Sequence, residues 1–367
     1  MKLSIQLVTW NSAKYLPALF ASLEKNWVVH QRDIDRAKVT ESDWILSILD
    51  NASTRDNTVQ ITEEKLKNFL FPWRFWQEER NTGFAGGHNR LFTICDAEYV
   101  LLVNHDMTFE PDCIPKLVAF LDTHLEAAGV APRLMRTQTS DVRLQMSDVI
   151  DSLGLRVFRN RRVVDVGAGE IWHEPHPDPL LTGEGIVRVA NPLLGEGKVD
   201  EANHLSKEHG NTRKVDSLLR GEGTMKEVFG LSGACALFRV SALKDVAFPD
   251  GTFLDESYWS YKEDVDLAFR LRSAGYRSFV LFDAVAYHER GAKSALGQDD
   301  RAAGKNKRDQ ASHVRYTSYR NHLMTLYKNE FWENFLLDFP WILWYEGKKF
   351  VWFLLFDRGV LRGLKEI

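Results

Sequence analysis

Residues 100–109, VLLVNHDMTF, pass from consecutive apolar side chains directly into Asn104, His105 and Asp106. A short unbroken apolar run of this kind fits a strand covered on both faces, which belongs in a parallel sheet packed between helices. The polar residues then stand beyond the strand's carboxyl end, where open α/β sheets bind their ligands. The first hundred residues repeat the pattern. Strands are expected at residues 3–9, 44–49, 74–77 and 99–103, with amphipathic helices between them, the first over 13–23. The second helix should begin near Asn57, capped by Thr54 or Asp56. Asp50, Asn51 and Ser53 follow the second strand, and Gly83, Gly86 and Gly87 follow the third, where they would let the backbone approach a ligand closely.

A second acidic cluster lies far along the chain, in YWSYKEDVDLAFRLRSAGY (residues 258–276). Glu263 and Asp264 open an apolar-faced helix that Gly275 closes. Beside the positive end of a helix, a carboxylate is expected to stay ionised near neutral pH. Asp266 and Arg270, four apart, read as a surface pair. Each feature alone has an ordinary explanation: an Asx turn at Asp50-Asn51, an acid-rich helix start at Glu263-Asp264.

With 367 residues the chain can bury a full core. A net charge of -4 supplies no overall basic field, so nucleic acid is not the expected partner. Cys95, Cys113 and Cys235 lack metal-type spacing and read as reduced, packed thiols of a cytosolic protein. The opening MKLSIQLVTWNSAKYL reads as a first strand rather than a signal peptide. Between residues 137 and 226 the periodicity weakens, as expected of a variable segment inserted in one domain spanning 1–300. Within it, His173-Glu174-Pro175-His176 has no helical ligand spacing and reads as loop. Residues 301–367 form a helical appendage in which Trp332, Trp341, Trp344 and Trp352 mix with Lys348, Lys349, Arg358 and Arg362. Broken by Asp338, Pro340, Glu346 and the lysines, its apolar runs fall short of the roughly 20 residues that span a bilayer. An interfacial helix pair fits the composition, and a lid or a homodimer contact is the alternative.

Seven blocks, LVTWNSAKYL, SILDNASTRDNT, ERNTGFAGGHN, VNHDMTF, GLSGACALFR, FLDESYWSYKEDVDLAFRLRSAGY and AVAYHERG, resemble in order the motifs of family 2 glycosyltransferases. Within that family they most resemble the bacterial rhamnosyltransferase-like branch, over about residues 3–294. The resemblance implies a GT-A fold, a Rossmann-like mixed sheet with helices on both faces. It implies an inverting, metal-dependent transfer of sugar, L-rhamnose from dTDP-rhamnose, to a saccharide or polyprenyl-linked acceptor for surface polysaccharide, on the inner face of the cell membrane. A UDP-hexose donor is the alternative. It also implies that Thr9, Asn11, Asp50 and Asn51 contact the nucleoside, with Gly86, Gly87 and Asn89 close to the nucleotide.

By the same comparison, Asp106 is the last carboxylate of a D-x-D motif holding Mg²⁺ or Mn²⁺ against the donor's phosphates, with His288 closing that site. Asn104 occupies the motif's first position and His105 its middle, a departure under which Asn104 would act through water. Arg290 and Lys293 stand near the diphosphate. Asp264 is the base that takes the acceptor's proton, and Glu263 orients the acceptor or the loop. Arg159, Arg161 and Arg162, in a block at 149–170 that also resembles this branch, could meet the phosphate of a lipid-linked acceptor, or form a solvated charged strand. A nucleotidyltransferase or epimerase would share an α/β nucleotide site, but the latter calls for G-x-G-x-x-G after the first strand, and TWNSAKYLPAL has none. A noncatalytic binding protein would have no need of Asp50, Asp106, Asp264 and His288 together.

Overall fold

The computed structural model describes residues 1–33, 42–140, 143–173, 224–289 and 311–367. β1 (Leu3–Thr9), β2 (Trp44–Asp50) and β3 (Trp73–Gln77) lie parallel and alternate with α1 (Leu16–Asp33) and α2 (Thr58–Leu66). α3 (Gly83–Thr93) then leads into β4 (Tyr99–Val103), parallel to β1 on its other side. β2 and β4 are buried at every position because helices cover both faces, which explains their unbroken apolar sequence.

α1 begins at Leu16, later than expected, because the preceding backbone is tied to the next loop. Ser12 donates its N–H to the Thr58 hydroxyl at 2.6 Å, and Ala13 donates to the Asp56 carboxylate at 3.0 Å. The same carboxylate accepts from the N–H of Thr58, so Asp56 rather than Thr54 holds the start of α2. α1 also runs on to Asp33, since Trp27 packs against Trp44 and Phe71 beneath the sheet.

After β5 (Met107–Phe109) and α4 (Cys113–Thr123), the sheet continues with β6 (Ala127–Ser140) and its antiparallel partner β7 (Arg143–Ser152). A small hairpin of β8 (Leu155–Val157) and β9 (Val163–Asp165) follows. The stretch of weak periodicity from 137 therefore begins as main-sheet backbone, closed over by Ile150, Leu153, Val166 and Trp172 in the core. Residues 174–223 lie outside the described residues.

β10 (Met225–Val228), β11 (Cys235–Arg239), α5 (Val240–Asp245), α6 (Glu263–Ser273) and β12 (Arg277–His288) complete the domain. The strand order is β10-β12-β6-β11-β4-β1-β2-β3, with β5 on β12 and β7 on β6. β11 runs antiparallel to β4, so the sheet is mixed. Cys113 and Cys235 are buried, Cys95 is half-buried and all three are free thiols.

α7 (Ser312–Asn329) packs on α6 through buried polar contacts. The Asp266–Arg270 pair is part of that seam. Asp266 is fully buried and also accepts from Asn329 at 2.9 Å, which corrects the surface reading. α8 (Trp332–Phe356) carries the broken apolar runs on one helix that passes through Pro340. Its amphipathicity is inverted. Asp338, Ile342, Glu346, Lys349 and Phe353 share the inward stripe, while Trp332, Leu337, Trp341, Trp344, Leu355 and other large apolar residues face outward. No helix among the described residues is long and apolar enough to cross a membrane.

Candidate active site

The carboxyl ends of β1 and β2 meet in a closed hydrogen-bond cluster. Thr9 donates its hydroxyl to Asp50 at 3.0 Å, and Ser53 donates both its N–H and its hydroxyl to the same carboxylate, at 2.9 and 2.6 Å. Asn11 adopts φ 50° and accepts from the N–H groups of Thr54 and Arg55. Asn51 donates to the Gly83 carbonyl and accepts from the N–H of Thr82, pinning the entry to α3. Asn89, inside α3, donates to the Leu254 carbonyl and to Glu256, and accepts from the N–H groups of Phe253 and Leu254. The small size of Gly87 is demanded by packing, since a Cβ there would lie 2.7 Å from a Val8 methyl. One at Gly86 would lie 2.9 Å from Cβ of Thr82. These residues sit together where the sequence comparison puts a nucleoside, and most of their polar atoms are already engaged with neighbouring backbone.

Beyond β4 the arrangement differs. β5 pairs with β12 so that Met107 stands opposite His288, which brings the imidazole to Asp106. His288 Nε2 lies 3.3 Å from Asp106 Oδ1, and Nδ1 lies 2.9 Å from Asp151. Arg136 approaches Asp151 at 3.4 Å. Burial alone would push the His288 imidazolium down, but hydrogen bonds to Asp106 and Asp151 outweigh it and raise it to about 9. Burial would raise Asp106, and the imidazolium instead holds it below its ordinary value. His105, next to them, is lowered by burial. Asp106 Oδ1 is buried, and the group facing it is His288 Nε2 at 3.3 Å. A hard cation held by this carboxylate and this histidine would take the place of the proton on Nε2, with substrate phosphates supplying the other ligands. No cluster of three His, Cys, Asp or Glu groups occurs among the described residues.

The second acidic cluster reaches the same strand end through backbone. Asn104 donates its N–H to the Ala234 carbonyl at 2.9 Å, and the preceding Gly233 donates its N–H to Asp264 at 3.1 Å. Two residues, Gly233 and Ala234, thus link Asp264 to Asn104, two positions before Asp106. Glu263 is 6% exposed, and its Oε2 accepts no hydrogen bond among the described residues. Burial, then the charge of Asp264 beside it, pushes the Glu263 carboxyl up to about 8. Burial also raises Asp264, against the opposing hydrogen bond from Gly233. The expectation that the helix end would keep this pair ionised is corrected for Glu263: desolvation outweighs the helix dipole, whose effect is about 1 kcal/mol near a surface.

The loop before α6 is strained. Trp259, Tyr261 and Lys262 all have positive φ, a region costly for residues with a side chain. Asn321 of α7, fully buried, holds that loop by donating to the carbonyls of Tyr258, Ser260 and Tyr261. The Trp259 carbonyl in turn accepts from the N–H of Phe84 at 2.8 Å, where Gly83 leaves no room for a Cβ. Asp151, Asn321 and Lys262 were not recognised from the sequence. Asp151 sits in a strand within the weakly periodic segment, and Asn321 in a helix whose polar face looks solvated until it packs.

Arg159 and Arg161 do not point to an open site. Arg159 pairs with Asp338 at 2.8 Å, and Arg161 pairs with Glu330 at 2.6 Å and Asp338 at 2.8 Å, clamping the β8–β9 turn to the carboxyl-terminal helices. Arg162 faces a separate cavity. Arg290 and Lys293, and positions 174–176 of the histidine-containing loop, lie outside the described residues.

A sequence model described as Glycosyl transferase family 2 matches residues 4–171, and one described as Glycosyl transferase family group 2 matches residues 196–357. Among curated proteins, the chain is 26% identical over 212 residues to poly(ribitol-phosphate) beta-N-acetylglucosaminyltransferase TarS of Staphylococcus aureus, strains Mu50 and MW2. That match covers 54% of this chain and 34% of the relative, so the chain matches about a third of the relative's length. Among solved structures, S. aureus TarS 1-349 has a TM-score of 0.48 at 16% identity, covering 98% of this chain and 73% of that one. GalNAc-T7 with UDP, GalNAc and Mn²⁺ has a TM-score of 0.52 at 9% identity, covering 89% and 47%, a likeness of fold.

Proposed function

The chain belongs to glycosyltransferase family 2 and has the GT-A fold, and on that premise we propose that it transfers a sugar with inversion from a nucleoside diphosphate to a saccharide or polyprenyl-linked saccharide. The observation that carries the reading is the backbone link from Asn104 through Ala234 and Gly233 to Asp264, which supports a base and a diphosphate site on one strand end. Asp264 takes the proton of the acceptor hydroxyl as the sugar's anomeric carbon is attacked from the face opposite the leaving group. A raised carboxylate serves that role better than an ordinary one, because its proton affinity lies nearer the working pH. Glu263, protonated near neutral pH, can donate a hydrogen bond to the acceptor or steady the loop. Asp50, Asn11 and Asn51 shape the nucleoside pocket through the loops they tie.

Mg²⁺ or Mn²⁺, when bound, would be held by Asp106 and His288 and would neutralise charge on the departing diphosphate. Asp151 fixes the imidazole with Nε2 toward Asp106. Resemblance to the rhamnosyltransferase-like branch supports dTDP-rhamnose as donor. A UDP-hexosamine is the second reading, favoured by the curated relative, an N-acetylglucosaminyltransferase. The test is a panel of nucleotide sugars, assayed for hydrolysis and transfer with and without chelator. Turnover of one pyrimidine-diphosphate sugar that falls in excess chelator is expected; turnover of none would overturn the reading.

The same reading includes peripheral attachment to the inner face of the cell membrane by the outward face of α8. Lys349 adds no charge to that face, being 8% exposed and paired with Glu346 at 3.2 Å. Attachment is therefore expected to rest on aromatic and aliphatic insertion, with Lys348, Arg358 and Arg362 secondary. Flotation with liposomes should persist at high salt; a protein that stays in the soluble fraction with every lipid composition would instead have α8 as a lid or dimer contact.

A further inference from the structure

Tyr258, Trp259 and Tyr261 bring three large rings to the approach of the acidic pair, and the fold treats them differently. Tyr258 is fully buried with its hydroxyl 2.9 Å from that of Thr325, whereas Trp259 and Tyr261 are 44% and 45% exposed. That exposure is imposed by the backbone. Trp259, at φ 60°, and Tyr261, at φ 71°, occupy a region that residues with side chains rarely adopt, and buried Asn321 fixes the course by donating to three carbonyls of the loop.

The indole is seated against Gly83, where a Cβ would stand 2.6 Å from its Cδ1 and 2.8 Å from its Cγ. Asn51 donates to the Gly83 carbonyl at 2.9 Å, so the ring abuts the nucleoside loops. Phe84 donates its N–H to the Trp259 carbonyl at 2.8 Å, and its Cζ lies 3.4 Å from the place that a Cβ on Gly233 would occupy. Asp264 Cβ lies 3.5 Å from that same place. One residue, Phe84, thus ties a half-exposed indole to the wall of the base. A pyranose can lay the C–H bonds of one ring face on the electron-rich face of an aromatic side chain while its hydroxyls, at the ring's edge, stay free to react.

We propose that the Trp259 indole is the platform on which the acceptor's sugar ring stacks, with the Tyr261 ring at its rim, turning the reacting hydroxyl toward Asp264. The donor is anchored through its diphosphate at Asp106, and the acceptor, which lacks that anchor, is left the loop that carries the base. This rests on the transferase reading and makes the acceptor a cyclic sugar with a C–H face clear of axial hydroxyls, as opposed to an acyclic polyol.

The test is saturation-transfer NMR of the full chain with methyl β-D-glucopyranoside, methyl β-D-galactopyranoside and glucitol, with UDP and dTDP titrated separately. At least one glycoside should be saturated, mostly on the protons of one ring face, and glucitol should bind more weakly than that glycoside. Trp259→Leu should weaken the glycoside about 3- to 10-fold, the scale of one aromatic contact, and Trp259→Phe should weaken it less. Both should keep wild-type nucleotide affinity, since the backbone bond to Phe84 is retained. If thermal unfolding shows that Trp259→Leu does not fold, the face pattern on the wild type decides. Even saturation around the ring, glucitol matching the glycosides, no glycoside bound, or a folded Trp259→Leu that binds unchanged would each overturn the platform. Loss of nucleotide together with glycoside in folded Trp259→Leu would overturn it by assigning the indole to the donor. A wild-type chain that stacks a glycoside but binds neither UDP nor dTDP would instead overturn the transferase reading and leave the platform standing.

Discussion

The two halves of the candidate site are built on opposite principles. Around Asp50, Asn51 and Asn89 nearly every polar atom is matched within the protein, and loops and α3 are fixed by those bonds. Around Asp106 and Glu263 the matching is poorer: Asp106 Oδ1 faces the His288 imidazole at 3.3 Å, and Glu263 Oε2 accepts no hydrogen bond among the described residues. An unsatisfied buried acceptor costs roughly 1–3 kcal/mol, so the second half carries a deficit that a proton, a cation or a substrate hydroxyl can remove. Matched groups give shape, and deficient groups give chemistry. The first half should therefore respond to mutation mainly in stability, and the second mainly in turnover.

The sharpest way to break this contrast is Asp264→Asn. Transfer should fall by roughly 10²–10⁴ while thermal stability changes little, because the amide oxygen can still accept from Gly233 but takes no proton. Near-native turnover, with Glu263→Gln inactive, would exchange the two roles.

Glu263 tests the deficit through pH. Its folded pKa, about 8, lies above the ordinary 4.5, so its contribution to stability is fully present below about pH 4.5 and is lost as pH rises toward 8. Glu263→Gln removes that titration. Between pH 5 and 8 the variant should gain on the wild type by at most about 1.4 kcal/mol per pH unit, read from urea unfolding. Parallel pH profiles would mean that Glu263 is not desolvated.

On the matched side, Asn89→Ala should destabilise the fold by about 2–4 kcal/mol, since two buried N–H groups and a carbonyl lose their partner. Lost donor affinity at unchanged melting temperature would make Asn89 a ligand contact instead. Gly87→Ala is the mildest, at about 1–3 kcal/mol, because α3 must move off the Val8 methyl groups. Circular dichroism melts decide both.

Much of this was legible early because local periodicity carries it. Leu3–Thr9 and Tyr99–Val103 are strands with the boundaries their apolar runs imply, and Gly275, at φ 87°, closes α6. Helix boundaries were less legible. The start of α1 depends on Thr58 and Asp56, more than 40 residues away, and no local pattern contains that bond. The charge state of Glu263 was misread for a similar reason: its helix-start position is visible in sequence, and its burial is not.

By itself, the sequence determined the alternation of strands and helices and the polar residues at strand ends, since both follow from side-chain periodicity and turn chemistry along neighbouring positions. Tertiary structure alone decided that Asp151 would orient His288, that Asn321 would hold the strained Tyr261–Lys262 turn, and that α8 would bury its charges and expose its aromatics. Those outcomes depend on which surfaces meet across the fold, where desolvation and hydrogen-bond matching are set by residues far apart in the chain.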